Sequence, residues 1–178
     1  MTHPEIAIGL GRRADAVQIA LMSREFIEHG LGWSWTPQRV AVSLRSPIAL
    51  VAVARAGQRL VGFGIMRYGD DDARLDLLGV AADQRRLGVG RRLVTWLERP
   101  ALVAGLASVS LEVRASNVGA QEFYERLGYL PLRRIAGYYQ GREAAIRMRR
   151  ELGCRDRPVA DFSAEIDRAL ARVYAAQH

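Results

Sequence analysis

Residues 77–93 read LLGVAADQRRLGVGRRL. Its apolar start is typical of a strand, and its end has the apolar spacing of a helix. Gly88 and Gly90 stand where the helix begins. A glycine-bearing turn of this kind directs several backbone N–H groups at one point, where the helix dipole also favours negative charge. The stretch predicts a strand, turn and helix that hold a phosphate, although two glycines by themselves also fit a plain tight connection.

The rest of the chain extends this unit into an α/β domain. Thr36-Pro37 is typical of a helix start, Ala56-Gly57-Gln58 of a hairpin, and Pro100 is expected to kink or end the third helix. Apolar periodicity predicts a mixed central sheet of about seven strands flanked by about four helices, in the order β-α-α-β-β-β-α-β-α-β-β. The predicted strands are 6–10, 48–54, 59–68, 75–80, 108–114, 129–139 and 144–152, and the predicted helices are 15–29, 36–45, 88–98 and 118–127.

Residues 154–178 are predicted to form an extension to a domain that spans residues 1–153. After a polar stretch with Pro158, Ser163 is suited to cap a last helix that has Ile166, Leu170 and Val173 on one side. This apolar stripe either docks on the parent domain or contacts a partner, and a homodimer is one open possibility.

Composition excludes several classes of protein. The single cysteine, Cys154, cannot form an intramolecular disulfide, and three scattered histidines have no metal-ligand spacing, so no metal is expected. We find no apolar run of about 18 residues and no signal-peptide pattern, which predicts a cytoplasmic protein that is not in a membrane. The net charge of +7 is compatible with nucleic-acid binding. However, all 26 basic residues are arginine, they are interspersed with acids, and no stacking-aromatic motif accompanies them.

Three segments resemble one known family. Residues 85–90, RRLGVG, are similar to the cofactor motif of the GNAT superfamily of N-acetyltransferases. Residues 111–117, LEVRASN, with 123–129, FYERLGY, and residues 138–148, YYQGREAAIRM, resemble most closely the bacterial ribosomal-protein-alanine N-acetyltransferases. The resemblance covers about residues 75–152, and it implies the GNAT fold and acetyl transfer from acetyl-coenzyme A (acetyl-CoA). Residues 1–74 carry no matching signature, so the resemblance of these residues does not identify the acceptor.

The resemblance also implies a cofactor site. The backbone of residues 78–80 is expected to pair with the pantetheine arm, as an added strand would. Residues 85–91 are expected to surround the pyrophosphate, with backbone amides donated by residues 87–91. Asn117 is expected to contact the coenzyme arm, to cap the following helix, or both. The predicted cofactor-binding residues are Leu78, Gly79, Val80, Arg85, Arg86, Leu87, Gly88, Val89, Gly90, Arg91 and Asn117.

Two residues are expected to be catalytic by the same resemblance. Glu112 would accept the proton of the attacking amine, directly or through water, and Tyr124 would act as the acid toward the coenzyme A thiolate. The alternatives are that Glu112 only pairs with an arginine and that Tyr124 only packs on its helix. At neutral pH, deprotonation costs about 1 kcal/mol for an α-amine and about 4.6 kcal/mol for a lysine amine. A carboxylate base therefore favours a protein or peptide N-terminus as acceptor.

The acceptor region is predicted less directly. Trp33 and Trp35 lie between the first two helices, where they either line a substrate groove or cover the core, and Tyr138 and Tyr139 are candidates for contact with a peptide. The alternatives to a peptide N-terminus are a small-molecule amine, a lysine side chain, or a non-catalytic module that binds acyl-CoA.

Overall fold

The computed structural model describes residues 5–153. This part of the chain forms seven strands and four α-helices in the predicted order. The strands are β1 (Ile6–Leu10), β2 (Ala49–Ala56), β3 (Arg59–Tyr68), β4 (Asp72–Val80), β5 (Ser108–Arg114), β6 (Leu130–Tyr139) and β7 (Glu143–Glu151). The helices are α1 (Ala16–Phe26), α2 (Pro37–Ser43), α3 (Val89–Ala104) and α4 (Val118–Arg126). The predicted fold class is confirmed, whereas the predicted C-terminal helix lies outside the described residues.

The seven strands form one sheet in the order β1-β2-β3-β4-β5-β7-β6. All neighbours are antiparallel except β4 and β5, which run parallel and are joined through α3. The parallel pairing is short, because it joins only Asp72–Leu75 of β4 to Ser108–Leu111 of β5. This pairing also explains why β4 begins at Asp72, three residues before the predicted start.

Helix α3 lies close against the sheet because β3 has glycines under it. A Cβ added at Gly64 would be 2.7 Å from Leu97 Cδ1, and one at Gly62 would be 3.1 Å from Leu93 Cδ1. Leu93 and Leu97 are fully buried there. The helix that follows β4 is thereby fixed on the sheet, and its first residues have a defined position beside the end of β4.

The prediction that the third helix ends at about Glu98 because of Pro100 is wrong, since α3 continues to Ala104 with Pro100 inside it; the alternative, a kink at Pro100, stays a prediction. Leu97 and Ala101 are both fully buried on the same face of the helix. Their burial compensates for the backbone hydrogen bond that proline cannot make. Gly105, at φ 71°, ends the helix instead.

Helix α1 ends at Phe26, three residues before the predicted end at His29. The chain turns there because the N–H of Ile27 and that of Glu28 both donate to the Ser23 carbonyl, and the Glu28 side chain points inward and is buried. Among residues 5–153, no helix is both long and apolar enough to cross a membrane.

Candidate active site

A groove opens where β4 and β5 separate. Past Leu75 and Leu111 the two parallel strands no longer pair, so the edge of β4 from Asp76 onward faces open space instead of another strand. The groove has a volume of about 1510 Å³. Its lining comes from both strands, from the starts of α3 and α4, from the loop between α1 and α2, and from the end of β6.

One part of the groove, here called the glycine part, is formed by residues 85–91 at the start of α3. Gly88 precedes the helix in a left-handed conformation, φ 81°, and a Cβ placed there would meet no atom within 4 Å. The first N–H groups of any α-helix have no acceptor within the helix. Because Arg85, Arg86 and Arg91 also line this part, backbone donors and positive charge meet at one place, as an anion site requires.

The predicted cofactor residues are brought together here, with two distinctions. Residues 78–80, Asn117 and five residues of the 85–91 segment line the groove, but Leu87 and Val89 do not. Val89 is buried in the core and Leu87 is exposed, so only their backbone is available to a ligand. Asn117 caps α4, since its Oδ1 accepts from the N–H of Ala120 at 3.0 Å.

Position 79 on β4 requires a glycine for a packing reason. A Cβ at this position would lie 2.6 Å from a ring atom of Phe63 on β3. The phenyl ring of Phe63 is fully buried and occupies the space that the methyl group would need. Gly79 on β4 therefore leaves the space that the Phe63 ring of β3 fills.

Glu112 lines the groove from β5, and its side chain is only 5% exposed. One carboxylate oxygen lies 2.6 Å from Arg74 Nη2, and the other lies 2.7 Å from Arg147 Nε. Arg74 also pairs with Asp76 at 3.2 Å, and Asp76 in turn pairs with Arg67. Glu112 therefore does pair with arginines, as its alternative interpretation predicts, within a network of three guanidinium groups and two carboxylates.

Tyr124 is buried in α4, and it also lines the groove. Its ring makes edge-to-face contacts with Phe123 at 5.0 Å and with Tyr129 at 5.6 Å between centroids. Within residues 5–153 its hydroxyl group makes no hydrogen bond. Burial raises the pKa of Tyr124 above that of an ordinary phenol, with a smaller contribution from Tyr139. The hydroxyl group is therefore protonated at neutral pH and has its donor capacity free.

The other part of the groove, here called the loop part, is formed by residues 28–39 and 138–140. Tyr138 and Tyr139 both line it. The Tyr138 hydroxyl group accepts from Arg74 Nη2 at 2.7 Å, and the Tyr139 hydroxyl group donates to the Glu112 carbonyl at 3.4 Å. Both tryptophans pack against the core, but only Trp35 also lines the groove, and Arg24 lies over the ring of Trp33.

Two segments that are distant in sequence meet in the loop part. The N–H of Gly32 donates to Gln140 Oε1 at 2.9 Å, and Gln140 Nε2 donates to the Gly32 carbonyl at 3.3 Å. Arg114 Nη2 also donates to the carbonyl of His29 at 2.9 Å. The bonds of Gln140 hold the loop between α1 and α2 to the turn between β6 and β7, and the bond of Arg114 holds the same loop to the end of β5.

Glu28 organises this loop from inside. Its carboxylate accepts from the N–H of Ser34 at 2.7 Å, from the N–H of Trp35 at 3.2 Å, and from the hydroxyl groups of Ser34 and Ser23. A buried carboxylate with several donors is satisfied and costly to disturb. The backbone that leads into Trp35 is consequently fixed.

Sequence reasoning missed the residues that shape the loop part, which are Glu28, Arg39, Arg74 and Gln140. Only Arg39 had a visible signal. It is the third residue after the Thr36 cap, where glutamate or glutamine would complete a capping box. Within residues 5–153, no group of three or more His, Cys, Asp or Glu side chains is arranged to hold a metal ion.

Comparison with known proteins gives consistent relationships. A family model, the acetyltransferase (GNAT) family, matches residues 19–129. An uncharacterized N-acetyltransferase of Methanocaldococcus jannaschii is 37% identical over 99 residues, which are 54% of this chain and 62% of the relative. The ribosomal protein bS18-alanine N-acetyltransferase of Salmonella typhimurium is 38% identical over 96 residues, which are 52% of this chain and 65% of that enzyme. The aligned regions thus span somewhat less than two thirds of these relatives.

A solved structure agrees with both sequence matches. The crystal structure of the ribosomal-protein-S18-alanine N-acetyltransferase from Escherichia coli aligns with a TM-score of 0.73 at 26% sequence identity. The alignment covers 86% of this chain and 99% of that one. This chain therefore shares the fold of that enzyme.

Proposed function

This chain belongs to the acetyltransferase (GNAT) family, and from that premise we propose that it transfers an acetyl group from acetyl-CoA to the free α-amine of a protein or peptide N-terminus. One observation carries the proposal: Glu112 and Tyr124 line the same groove as the glycine-bearing start of α3. The similarity to ribosomal-protein-alanine N-acetyltransferases supports the same acceptor class. A cytoplasmic location and a homodimer stay predictions.

The glycine part of the groove fits the phosphate groups of acetyl-CoA. Backbone N–H groups at the start of α3 would bind the pyrophosphate, because the empty space beside Gly88 lets an anion approach the backbone. Arg85, Arg86 and Arg91 would neutralise its charge. The unpaired edge of β4 at residues 78–80 would pair with the amides of the pantetheine arm. When bound, acetyl-CoA supplies the acetyl group as an activated thioester.

Glu112 is proposed as the acceptor of the amine proton. Each carboxylate oxygen has two lone pairs, so an oxygen that holds Arg74 or Arg147 also has room for a water molecule or the amine itself. The two arginines fix the carboxylate in one orientation toward the groove. As the amine nitrogen forms its bond to the acetyl carbon, its surplus proton passes to Glu112 directly or through a water molecule.

Tyr124 is proposed as the donor to the departing sulfur. The carbon–sulfur bond breaks as the tetrahedral intermediate collapses, and the sulfur leaves with the electron pair. Because burial raises the pKa of Tyr124, its hydroxyl group stabilises the thiolate mainly by donating a hydrogen bond, with proton transfer late in the step.

The α-amine is favoured over a lysine amine because it is already partly neutral at physiological pH. The two segments of the loop part are held together by the hydrogen bonds between Gly32 and Gln140. This part of the groove would receive the first residues of the peptide. Trp35, Tyr138 and Tyr139 line that part, and they offer flat apolar faces with polar edges to an extended backbone.

The acceptor class is tested with one lysine-containing peptide in two forms, one with a free N-terminus and one with a blocked N-terminus. Both are incubated with protein and acetyl-CoA at about pH 7–8, and mass spectrometry locates the acetyl group. The free peptide should be acetylated at its α-amine, and the blocked peptide should not react. Faster acetylation of the lysine, of spermidine or of an aminoglycoside than of every free N-terminus would refute the peptide acceptor.

A further inference from the structure

Arg39 lies in the first turn of α2 and lines the loop part of the groove. Its guanidinium carbon is 4.1 Å from the centroid of the Trp35 ring, which is within the range of a cation–π contact. The side chain is exposed, and its Nη1 is 3.5 Å from the Ser34 carbonyl oxygen. The guanidinium group thus lies over an aromatic ring and keeps most of its donors free.

Outside the glycine part, the other arginines that line the groove each have a carboxylate partner. Arg67 pairs with Asp76, Arg74 with Asp76 and Glu112, and Arg114 with Glu143. Among residues 5–153, no carboxylate lies within ion-pair distance of Arg39. Its charge is therefore available to a ligand in the groove.

The position of Arg39 is locally unfavourable for a cation. In the first turn of a helix the backbone dipole favours negative charge. A glutamate three residues after the Thr36 cap would complete a capping box, because its carboxylate would accept the backbone N–H of Thr36. The sequence has arginine there instead. Departures from local preference of this kind are expected where a side chain serves a ligand.

The platform beneath Arg39 is also rigid. Trp35 is the stacking partner, and its N–H is held by buried Glu28, as is the N–H of Ser34. An arginine on a fixed aromatic surface loses little freedom when it binds, so it discriminates better than an arginine on a mobile loop.

We infer that Arg39, stacked on Trp35, selects acceptor peptides that carry an acidic side chain directly behind their free N-terminus. The inference rests on the proposed function, since it assumes that the peptide enters through the loop part. A guanidinium group with free parallel donors matches a carboxylate. Arg39 does not touch the reacting atoms; it sets the affinity for the acceptor and not the rate of chemistry.

The test uses amidated peptides of one sequence that differ only in the second residue, which is glutamate, glutamine or lysine. The glutamate peptide should have a kcat/KM about 3–10-fold above that of the glutamine peptide, as one partly exposed ion pair provides. The lysine peptide should be lower still. The difference should lie in KM with kcat unchanged, and should shrink at about 0.5 M salt.

Variants assign the effect to Arg39. Arg39→Gln should remove most of the preference for glutamate, and Arg39→Glu should turn it into a preference for lysine. Arg24→Gln is the matched control, because Arg24 stacks on Trp33 at 5.0 Å and neither residue lines the groove. This variant should leave the preference unchanged, which separates a groove contact from a general loss of surface charge.

Several results would overturn the inference. Equal kcat/KM for the glutamate and lysine peptides, with N-terminal acetylation intact, would refute the role of Arg39 and leave the proposed function standing. An effect of Arg39→Gln on the KM for acetyl-CoA would assign the residue to the cofactor instead. If free alanine reacts faster than alanine amide and every peptide, the carboxylate that Arg39 binds is the α-carboxylate of a small amino acid and not a peptide side chain. If no peptide N-terminus is acetylated while acetyl-CoA still binds, the proposed function fails as well.

Discussion

Replacement of Tyr124 by phenylalanine should abolish most turnover at almost no cost in folding. The Tyr124 ring contacts Phe123 and Tyr129 edge to face, and phenylalanine keeps both contacts. No hydrogen bond to the hydroxyl is lost within residues 5–153, so we expect a change of less than about 0.5 kcal/mol in the free energy of unfolding. The loss of a donor to the thiolate should lower kcat by roughly 10²–10⁴-fold, which corresponds to about 2.7–5.5 kcal/mol of barrier.

Tyr129→Phe is the matched control with the opposite expectation. The Tyr129 hydroxyl donates to the buried carboxylate of Glu98 at 2.6 Å, and Arg150 holds the other oxygen of Glu98 at 2.7 Å. Loss of a hydrogen bond to a charged group costs about 1.5–3 kcal/mol. At this chain length that is a fall in Tm of about 3–12 °C, with kcat little changed because Tyr129 does not line the groove.

The assay measures thiol release at saturating peptide and acetyl-CoA, with Tm from thermal unfolding of the same samples. Tyr124→Phe should lower turnover and leave Tm almost unchanged. Tyr129→Phe should lower Tm and leave turnover almost unchanged. A Tyr124→Phe protein that keeps more than about a tenth of the wild-type turnover, or that loses stability in proportion to activity, would reduce Tyr124 to a packing residue.

Three further predictions follow from the same groove and core. Acetyl-CoA at about 100 times its Kd should stabilise the wild type by about 2.7 kcal/mol, and Gly88→Ala should weaken that shift because its methyl group enters the anion site at φ 81°; an equal shift in both proteins would move the phosphate elsewhere. Glu112→Gln should be slow near neutrality and recover partly as pH rises through the α-amine pKa of about 7.7–8.0, whereas an unaltered rate would exclude Glu112 as the base. Burial raises the pKa of Tyr68, Tyr124, Tyr129 and Tyr139, so the folded state retains protons that the unfolded state releases near pH 10. The contribution of these tyrosines to stability should be complete below pH 10 and fall above it, by up to about 1.4 kcal/mol per pH unit for each tyrosine. Tyrosinate absorbance that rises before unfolding would contradict this.

The sequence predicted the order of elements because local signals mark most of them. Thr36 caps α2 and Gly128 follows α4 at φ 89°, as their residue types indicate. Pro100 misled the prediction, since its local cost is outweighed by the burial of Leu97 and Ala101, which depends on the sheet beneath the helix.

The two parts of the groove differed in how far they could be predicted. The glycine part is a continuous segment, so residues 85–91 carry its signal in one motif. The loop part joins Gly32 to Gln140, which are 108 residues apart, and no local pattern reports such a contact. Trp33 and Trp35 could not be told apart for the same reason, because only the position of the loop decides that Trp35 lines the groove.

The central claim is direct transfer from acetyl-CoA to a peptide α-amine, and stoichiometry tests it most directly. Free thiol and N-terminally acetylated peptide should be measured in the same reaction over time. Direct transfer should give one thiol for each acetylated N-terminus, no acetyl group on the protein itself, and no thiol release above the uncatalysed rate when the peptide is blocked. Thiol release at the full rate without an acceptor, or an acetylated protein that forms before the product, would contradict it.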